Sequence, residues 1–195
     1  MKMNLPNKLS CFRMILVPIV VIIWLLPLSL FPVFNIGEVA LSLRNIIELI
    51  IFAIASFTDY LDGHIARKNN LITSFGKFID PIADKLLTTT MFILFLADGM
   101  IFSVPVILMI ARDIIVDGLR MNTAAKGVVV AAGILGKIKT VLQMFTIILI
   151  LLNNLPFALI GIPVSNIMLW ASAIVSVVSG IDYFNKMKEH ILESM

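Results

Sequence analysis

DYLDGHIARKNNLITSFGKFIDPIAD, residues 59–84, is a polar island in a chain that is otherwise mostly apolar. It holds four aspartates in two pairs, Asp59 with Asp62 and Asp80 with Asp84. Spacings of three and four place each pair on one face of a helix. Gly63, Ala66, Arg67 and Gly76 lie between the pairs, giving D-x2-D-G-x2-A-R-x8-G-x3-D-x3-D. Carboxylates beside apolar helices are costly and call for a compensating partner. An all-oxygen donor set of four carboxylates suits one or two hard divalent cations, Mg2+ or Mn2+. Two such ions would balance four negative charges and hold a pyrophosphate between them. Alternatively, each aspartate caps a helix or pairs with Arg67, Lys77 or Lys85; the repeated pairing with intervening glycines argues against that for the set.

Working outward, the 195 residues are 60% hydrophobic and 14% charged, with a mean hydropathy of +1.06. A water-soluble domain carries about 25% charged residues, so the composition indicates an integral membrane protein. The length suits several spans of roughly 20 residues and a single domain over residues 1–195. The expected fold is all-α: a six-transmembrane-helix bundle behind a short N-terminal interfacial segment, residues 1–13. Spans are expected at about 14–31, 39–62, 74–97, 105–119, 127–152 and 164–184, with a loop at 32–38. The first apolar stretch reads as a span rather than a cleaved signal peptide. The single cysteine, Cys11, excludes an intramolecular disulfide and a thiolate metal site.

Lysine and arginine gather at alternate ends of this path, and the opposite ends hold only Arg44. The positive-inside rule then places both termini and residues 59–84 on the cytoplasmic face of the cell membrane. Arg44 and Glu48, four apart, are expected to form a helical ion pair. Pro81 is a candidate kink beside the aspartates. His64 and Trp170 read as interfacial or packing residues, Trp24 likewise, and Asp182 as the partner of a nearby cation.

The 59–84 pattern matches the signature of the CDP-alcohol phosphatidyltransferase family at every signature position, and the chain is identified as a resembling member. The likeness extends to NLPNKLSCFR (residues 4–13), FGKFIDPIADKL (75–86), RDIIVDGLR (112–120) and GKIKTVLQ (136–143). It covers essentially the whole chain, and most resembles those members whose acceptor is glycerol 3-phosphate. Asp113 departs from the glutamate expected in many members. The resemblance implies a six-span helical enzyme, usually a homodimer, with a cytoplasm-facing site. Such enzymes transfer the phosphatidyl group of CDP-diacylglycerol to an alcohol and release CMP. Here the expected product is phosphatidylglycerol phosphate, the precursor of phosphatidylglycerol and cardiolipin. The resemblance further implies Asp59, Asp62, Asp80 and Asp84 as ligands of Mg2+ or Mn2+, with Asp84 as general base and Asp80 as the second candidate. Gly63, Ala66, Arg67 and Gly76 would shape the CDP-diacylglycerol pocket. Asn7 and Arg13 are further candidates.

A second constellation, Arg112, Arg120, Lys137 and Lys139, places cations close to apolar helices, where an anionic partner is needed. Asp113 and Asp117 offset about half of that charge, Asp117 with Arg120 as its expected partner. The remainder fits a phosphate dianion on a soluble acceptor. Thr140 adds a candidate neutral contact. Serine as acceptor would not need such a pocket, whereas inositol phosphate would; phosphatidylglycerol is a further alternative. From a different class, a small cation transporter would also bury carboxylates, but these cluster at one membrane side with no acidic route across.

Overall fold

The computed structural model describes residues 3–69, 71, 73–125 and 133–192, the side chains of 67, 74, 77, 81, 122–125 and 189–192 excepted. Lys126 and the expected start of the fifth span at 127–132 lie outside the described residues. Six α-helices and one β-hairpin are described: α1 Leu5–Leu25, β1 Val33–Ile36, β2 Val39–Ser42, α2 Leu43–Lys68, α3 Ser74–Ala97, α4 Ser103–Ala125, α5 Ile134–Leu151 and α6 Val164–Leu192.

Local signals explain the ends. The side chain of Asn4 caps α1 by accepting from the backbone N–H of Asn7 at 3.0 Å, and Pro6 sits in the first turn, where its missing N–H costs nothing. The helix stops ahead of Pro27 because a residue before proline is pushed to extended backbone, and Leu26 has ψ 143°. One helix therefore covers residues 5–25, so the expected interfacial segment runs on into the first span without interruption, and the span's expected end near residue 31 is corrected to Leu25. Thr73 caps α3 through the Gly76 N–H at 3.0 Å, as expected of that boundary, and α3 runs on through Pro81. The expected loop at 32–38 is also corrected. Residues 33–42 form an antiparallel hairpin in which Ile36 pairs with Val39. Its two-residue turn begins at Gly37, whose φ of 62° is free of the Cβ penalty.

Two three-helix groups build the bundle: α1 packs on α2 and α3, and α6 packs on α4 and α5. The groups meet where α2 and α3 touch α5 and where α3 touches α4. Val20, Phe52, Met91, Phe95, Ile147, Leu151, Leu169 and Ala173 fill the shared core. Polar groups are buried with them, including Arg13, Glu48, Asp62 and Lys139, while Ile22, Ile54, Phe78, Ile114 and Ile174 are exposed. An apolar exterior over a partly polar interior suits a lipid surround. Three helices are long and apolar enough to cross a membrane, over Leu5–Leu25, Ile134–Leu151 and Val164–Lys188. The other three, of 26, 24 and 23 residues, are also long enough at about 1.5 Å per residue, but each concentrates charges toward one end.

At the end of the bundle away from those charges, Arg44 corrects its expected pairing. Its guanidinium bonds Asp98 at 2.8 Å and lies 4.0 Å from the Trp24 ring centre. Glu48 is fully buried and its oxygens accept no hydrogen bond among the described residues. Arg44 sits where α2 begins and Asp98 where α3 ends, so the fold places the longer-range partner within reach. Asn153, in the turn before α6, ties this end together by donating to the Ala40 carbonyl at 2.5 Å.

Candidate active site

At the opposite end, the last turns of α2 and the first turns of α3 bring Asp59, Asp62 and Asp84 around Arg13 of α1, with Asp80 held by Ser10 of the same helix. Arg13 Nη1 donates to Asp59 at 2.5 Å and to Asp84, and Nη2 donates to Asp62 at 2.6 Å. Arg13 is 2% exposed and the Asp62 side chain 4%, whereas those of Asp59 and Asp84 are nearly half exposed. Ser10, one turn before Arg13, donates to Asp80 and lies 3.4 Å from Asp62. The cluster therefore has a dry floor, formed by Asp62, Ser10 and Arg13, and an open rim, formed by Asp59 and Asp84. The guanidinium supplies the positive charge without which buried carboxylates would not be tolerated.

The donor chemistry of this cluster fits a hard divalent cation: Asp59, Asp62 and Asp84 surround a position already held by a cation, and Asp80 adjoins them through Ser10. In the arrangement described they are splayed around the larger guanidinium. Among the described residues no three carboxylate, histidine or cysteine side chains close on a single metal position.

A cavity of about 310 Å3 opens beside the rim. Arg13, Asp59, Asp80, Asp84, Lys85, Thr88, Asp113, Lys139 and Thr140 are among its lining residues, with Phe52, Leu87 and Met144 forming apolar wall. A second cavity of about 190 Å3 adjoins it and is lined by Arg112, Asp117, Arg120, Lys137 and Tyr183. Lys85, Lys139 and Thr140 line both, so an acid-rimmed space and a base-lined space share one wall. All four cations expected of an acceptor site, with Thr140, face the second cavity.

The charges there are wired differently from the expectation drawn from α4 alone. Asp117 pairs with Lys85 of α3, not with Arg120, whose Nη2 instead donates to the Tyr183 hydroxyl at 2.6 Å. Asp113 bridges Arg112 at 3.0 Å and Lys139 of α5. Spacing of three permits the Asp117–Arg120 pair, but packing of α3 and α6 on either side of α4 draws the two apart. Asp182 does pair with Lys186, at 2.6 Å.

The glycine and alanine positions lie elsewhere. Gly63 and Ala66 fall on the last turns of α2 and, with Gly76, are not in the wall of either cavity. Gly76 serves the α1–α3 contact, since a Cβ there would come 2.9 Å from Asn7 Oδ1. Asn7 is buried and accepts from the Thr73 hydroxyl at 3.1 Å. The side chain of Arg67 lies outside the described residues. His64 is exposed and stacked 6.2 Å from Tyr60. Ser10, Ser179 and Tyr183 are site residues that the pattern did not single out. For Ser10 the signal was available: it lies three residues before Arg13, hence on the same helix face.

A mostly helical bundle with a lipid-compatible exterior, enclosing adjoining acidic and basic cavities at one end, defines a membrane protein equipped to handle polyanions. The chain belongs to the CDP-alcohol phosphatidyltransferase family, whose family model matches residues 3–178. It is similar to the CDP-diacylglycerol--glycerol-3-phosphate 3-phosphatidyltransferase of Bacillus subtilis, 43% identical over 183 residues and covering 94% of each chain. The protein of that name from Rickettsia felis is 37% identical over 188 residues, 96% of this chain and 97% of its own. That of Haemophilus influenzae is 35% identical over 202 residues, 100% of this chain and 99% of its own.

Proposed function

We propose that this protein transfers the phosphatidyl group of CDP-diacylglycerol to glycerol 3-phosphate, releasing CMP and forming phosphatidylglycerol phosphate. The full-length likeness to enzymes named for that reaction supports it. The observation that carries the site assignment is the shared wall: Lys85, Lys139 and Thr140 line both the acid-rimmed and the base-lined cavity. A transfer between two bound polyanions needs the two sites adjoining, with the reacting atoms held in line between them.

In this reading the first cavity takes the donor's pyrophosphate, with its acyl chains passing toward lipid. Asp59, Asp62, Asp80 and Asp84 would hold divalent cations, Mg2+ or Mn2+, which when bound neutralise the pyrophosphate and the charge developing on the leaving phosphate. Arg13 and Lys85 lie close enough to contribute fixed positive charge beside that position. The second cavity takes the acceptor's phosphate dianion on Arg112, Arg120 and Lys137, with Lys139 at the shared wall. An acceptor hydroxyl then attacks the phosphorus that bears the lipid, the bond from that phosphorus to the CMP oxygen breaks, and CMP departs. Asp84 receives the hydroxyl proton: its side chain is part of the rim, nearly half exposed, and lines the first cavity. Asp80 is held by Ser10 and is the second candidate. Gly63, Ala66, Arg67 and Gly76 remain assigned to the cytidine side of the donor site by the signature they complete.

The three helices that meet span criteria, together with α2 to α4, compose a six-span bundle in this reading. The charged end, both termini and the site face the cytoplasm of the cell membrane, and a homodimer is the expected assembly. The test is CMP release by purified protein from CDP-diacylglycerol, with glycerol 3-phosphate, inositol phosphate, serine and phosphatidylglycerol offered separately, with and without chelator. Release with glycerol 3-phosphate alone, abolished by chelator and restored by Mg2+ or Mn2+, is the expected outcome. Release driven by an acceptor lacking a phosphate would overturn the assignment of the basic cavity.

A further inference from the structure

The arginines of the basic cavity are borne by α4, where Asp113 holds one arm of Arg112, and α6 supplies the other groups that fix their direction. Arg112 Nη2 donates to Ser179 Oγ at 2.7 Å. The stem of Arg112 crosses α6 at Gly180, so closely that a Cβ there would stand 2.9 Å from Arg112 Cγ. One turn on, the buried Tyr183 presents its ring to both guanidinia, 5.5 Å from Arg112 Cζ and 4.8 Å from Arg120 Cζ. The Tyr183 hydroxyl accepts from Arg120 Nη2 at 2.6 Å and from the Gly133 N–H, just before α5, at 2.9 Å. Tyr183 thus joins α4, the entry to α5 and α6 at the edge of the cavity.

Two guanidinia held near one another repel; Asp113 already offsets part of the charge of Arg112, and a further carboxylate between the two would cancel more of the charge that an anionic ligand needs. A phenol ring and hydroxyl offer negative partial charge, through the ring face and the oxygen lone pairs, with no net charge. A serine hydroxyl does the same for Arg112. We infer that Tyr183, seconded by Ser179, is a positioning residue that aims Arg112 and Arg120 at the acceptor's phosphate without adding negative charge beside them, and so sets acceptor affinity. This rests on the reading that the basic cavity takes that phosphate.

The test compares Tyr183→Phe, Ser179→Ala and Arg120→Gln in purified protein, measuring KM for glycerol 3-phosphate, KM for CDP-diacylglycerol, kcat and Tm. Tyr183→Phe keeps the ring and removes the acceptor oxygen. It is expected to raise KM for glycerol 3-phosphate about tenfold, the loss typical of one hydrogen bond to a charged group. Its kcat and its KM for CDP-diacylglycerol should stay within about twofold, the pattern of lost uniform binding of one substrate. Ser179→Ala should show the same split with a smaller rise, and it keeps the proposal testable should Tyr183→Phe fold poorly. If Arg120→Gln raises the acceptor KM while Tyr183→Phe and Ser179→Ala leave it unchanged, the positioning role is refuted and the acceptor site stands. If Arg120→Gln leaves it unchanged as well, the acceptor-site reading itself is wrong. A fall in Tm with equal loss toward both substrates would make Tyr183 a packing residue and overturn the proposal.

Discussion

Arg13→Gln tests whether one guanidinium is what allows the aspartate cluster to exist. The wild-type side chain is 2% exposed and bonds three carboxylates, those of Asp59, Asp62 and Asp84. Glutamine keeps most of the stem and some hydrogen bonding but removes the charge. The magnitude turns on which partner is dry. Asp59 and Asp84 have side chains 47% and 44% exposed, and exposed pairs contribute about 0–1 kcal/mol each. Asp62 is 4% exposed, and leaving one charge of a buried pair without its partner costs about 3–5 kcal/mol. Because glutamine retains some of the hydrogen bonding, a loss at the lower end of that sum, about 3–4 kcal/mol, is expected in the presence of chelator. For a chain of this size that corresponds to a Tm lower by roughly 6–16 °C, at about 2–4 °C per kcal/mol. Arg13→Lys keeps the charge without the fork and should fall between the two. Adding Mn2+ or Mg2+ should recover about 2–3 kcal/mol in Arg13→Gln at a concentration some hundred times the dissociation constant, because the carboxylates are then neutralised by the ion. The assay is thermal unfolding in detergent with chelator and with each ion. A variant that melts within about 1 °C of wild type in chelator would refute the view that Arg13 is the cluster's counter-charge.

Asp84→Asn should lower CMP release about 10²–10⁴-fold, the range of a lost general base, with Tm little changed because the side chain is nearly half exposed; activity near wild type would remove that assignment. Gly180→Ala puts a Cβ 2.9 Å from Arg112 Cγ, so about 1–3 kcal/mol of overpacking should appear as a lower Tm and a raised KM for glycerol 3-phosphate. Arg44→Ala removes the partner of Asp98 and the cation over Trp24 at the far end of the bundle. It should cost about 2 kcal/mol, below the fully buried range because the Asp98 side chain is 33% exposed, and leave both KM values unchanged. A shift in either KM would couple that end to the site.

The sequence by itself determined the membrane character, the helical class, the edges of α3 and the identity of the acidic and basic sets. These follow from composition and from residue types at helical spacing, both of which are local. Side-chain partners were legible only when local too, as with Asp182 and Lys186. The hairpin at 33–42 was missed because its strands are four residues each and their apolar run carries no helix-strand contrast. The pairings of Arg44 with Asp98 and Lys85 with Asp117, and the role of Tyr183, span 54, 32 and 63 positions of chain. A long charged side chain has several candidate partners within one helix turn, and only the packing of helices distant in sequence selects among them. The tertiary structure alone decided that α1 sets Arg13 among Asp59, Asp62 and Asp84, and that α6 helps seat the arginines of α4, because both depend on which helices share an interior and on what that interior leaves dry.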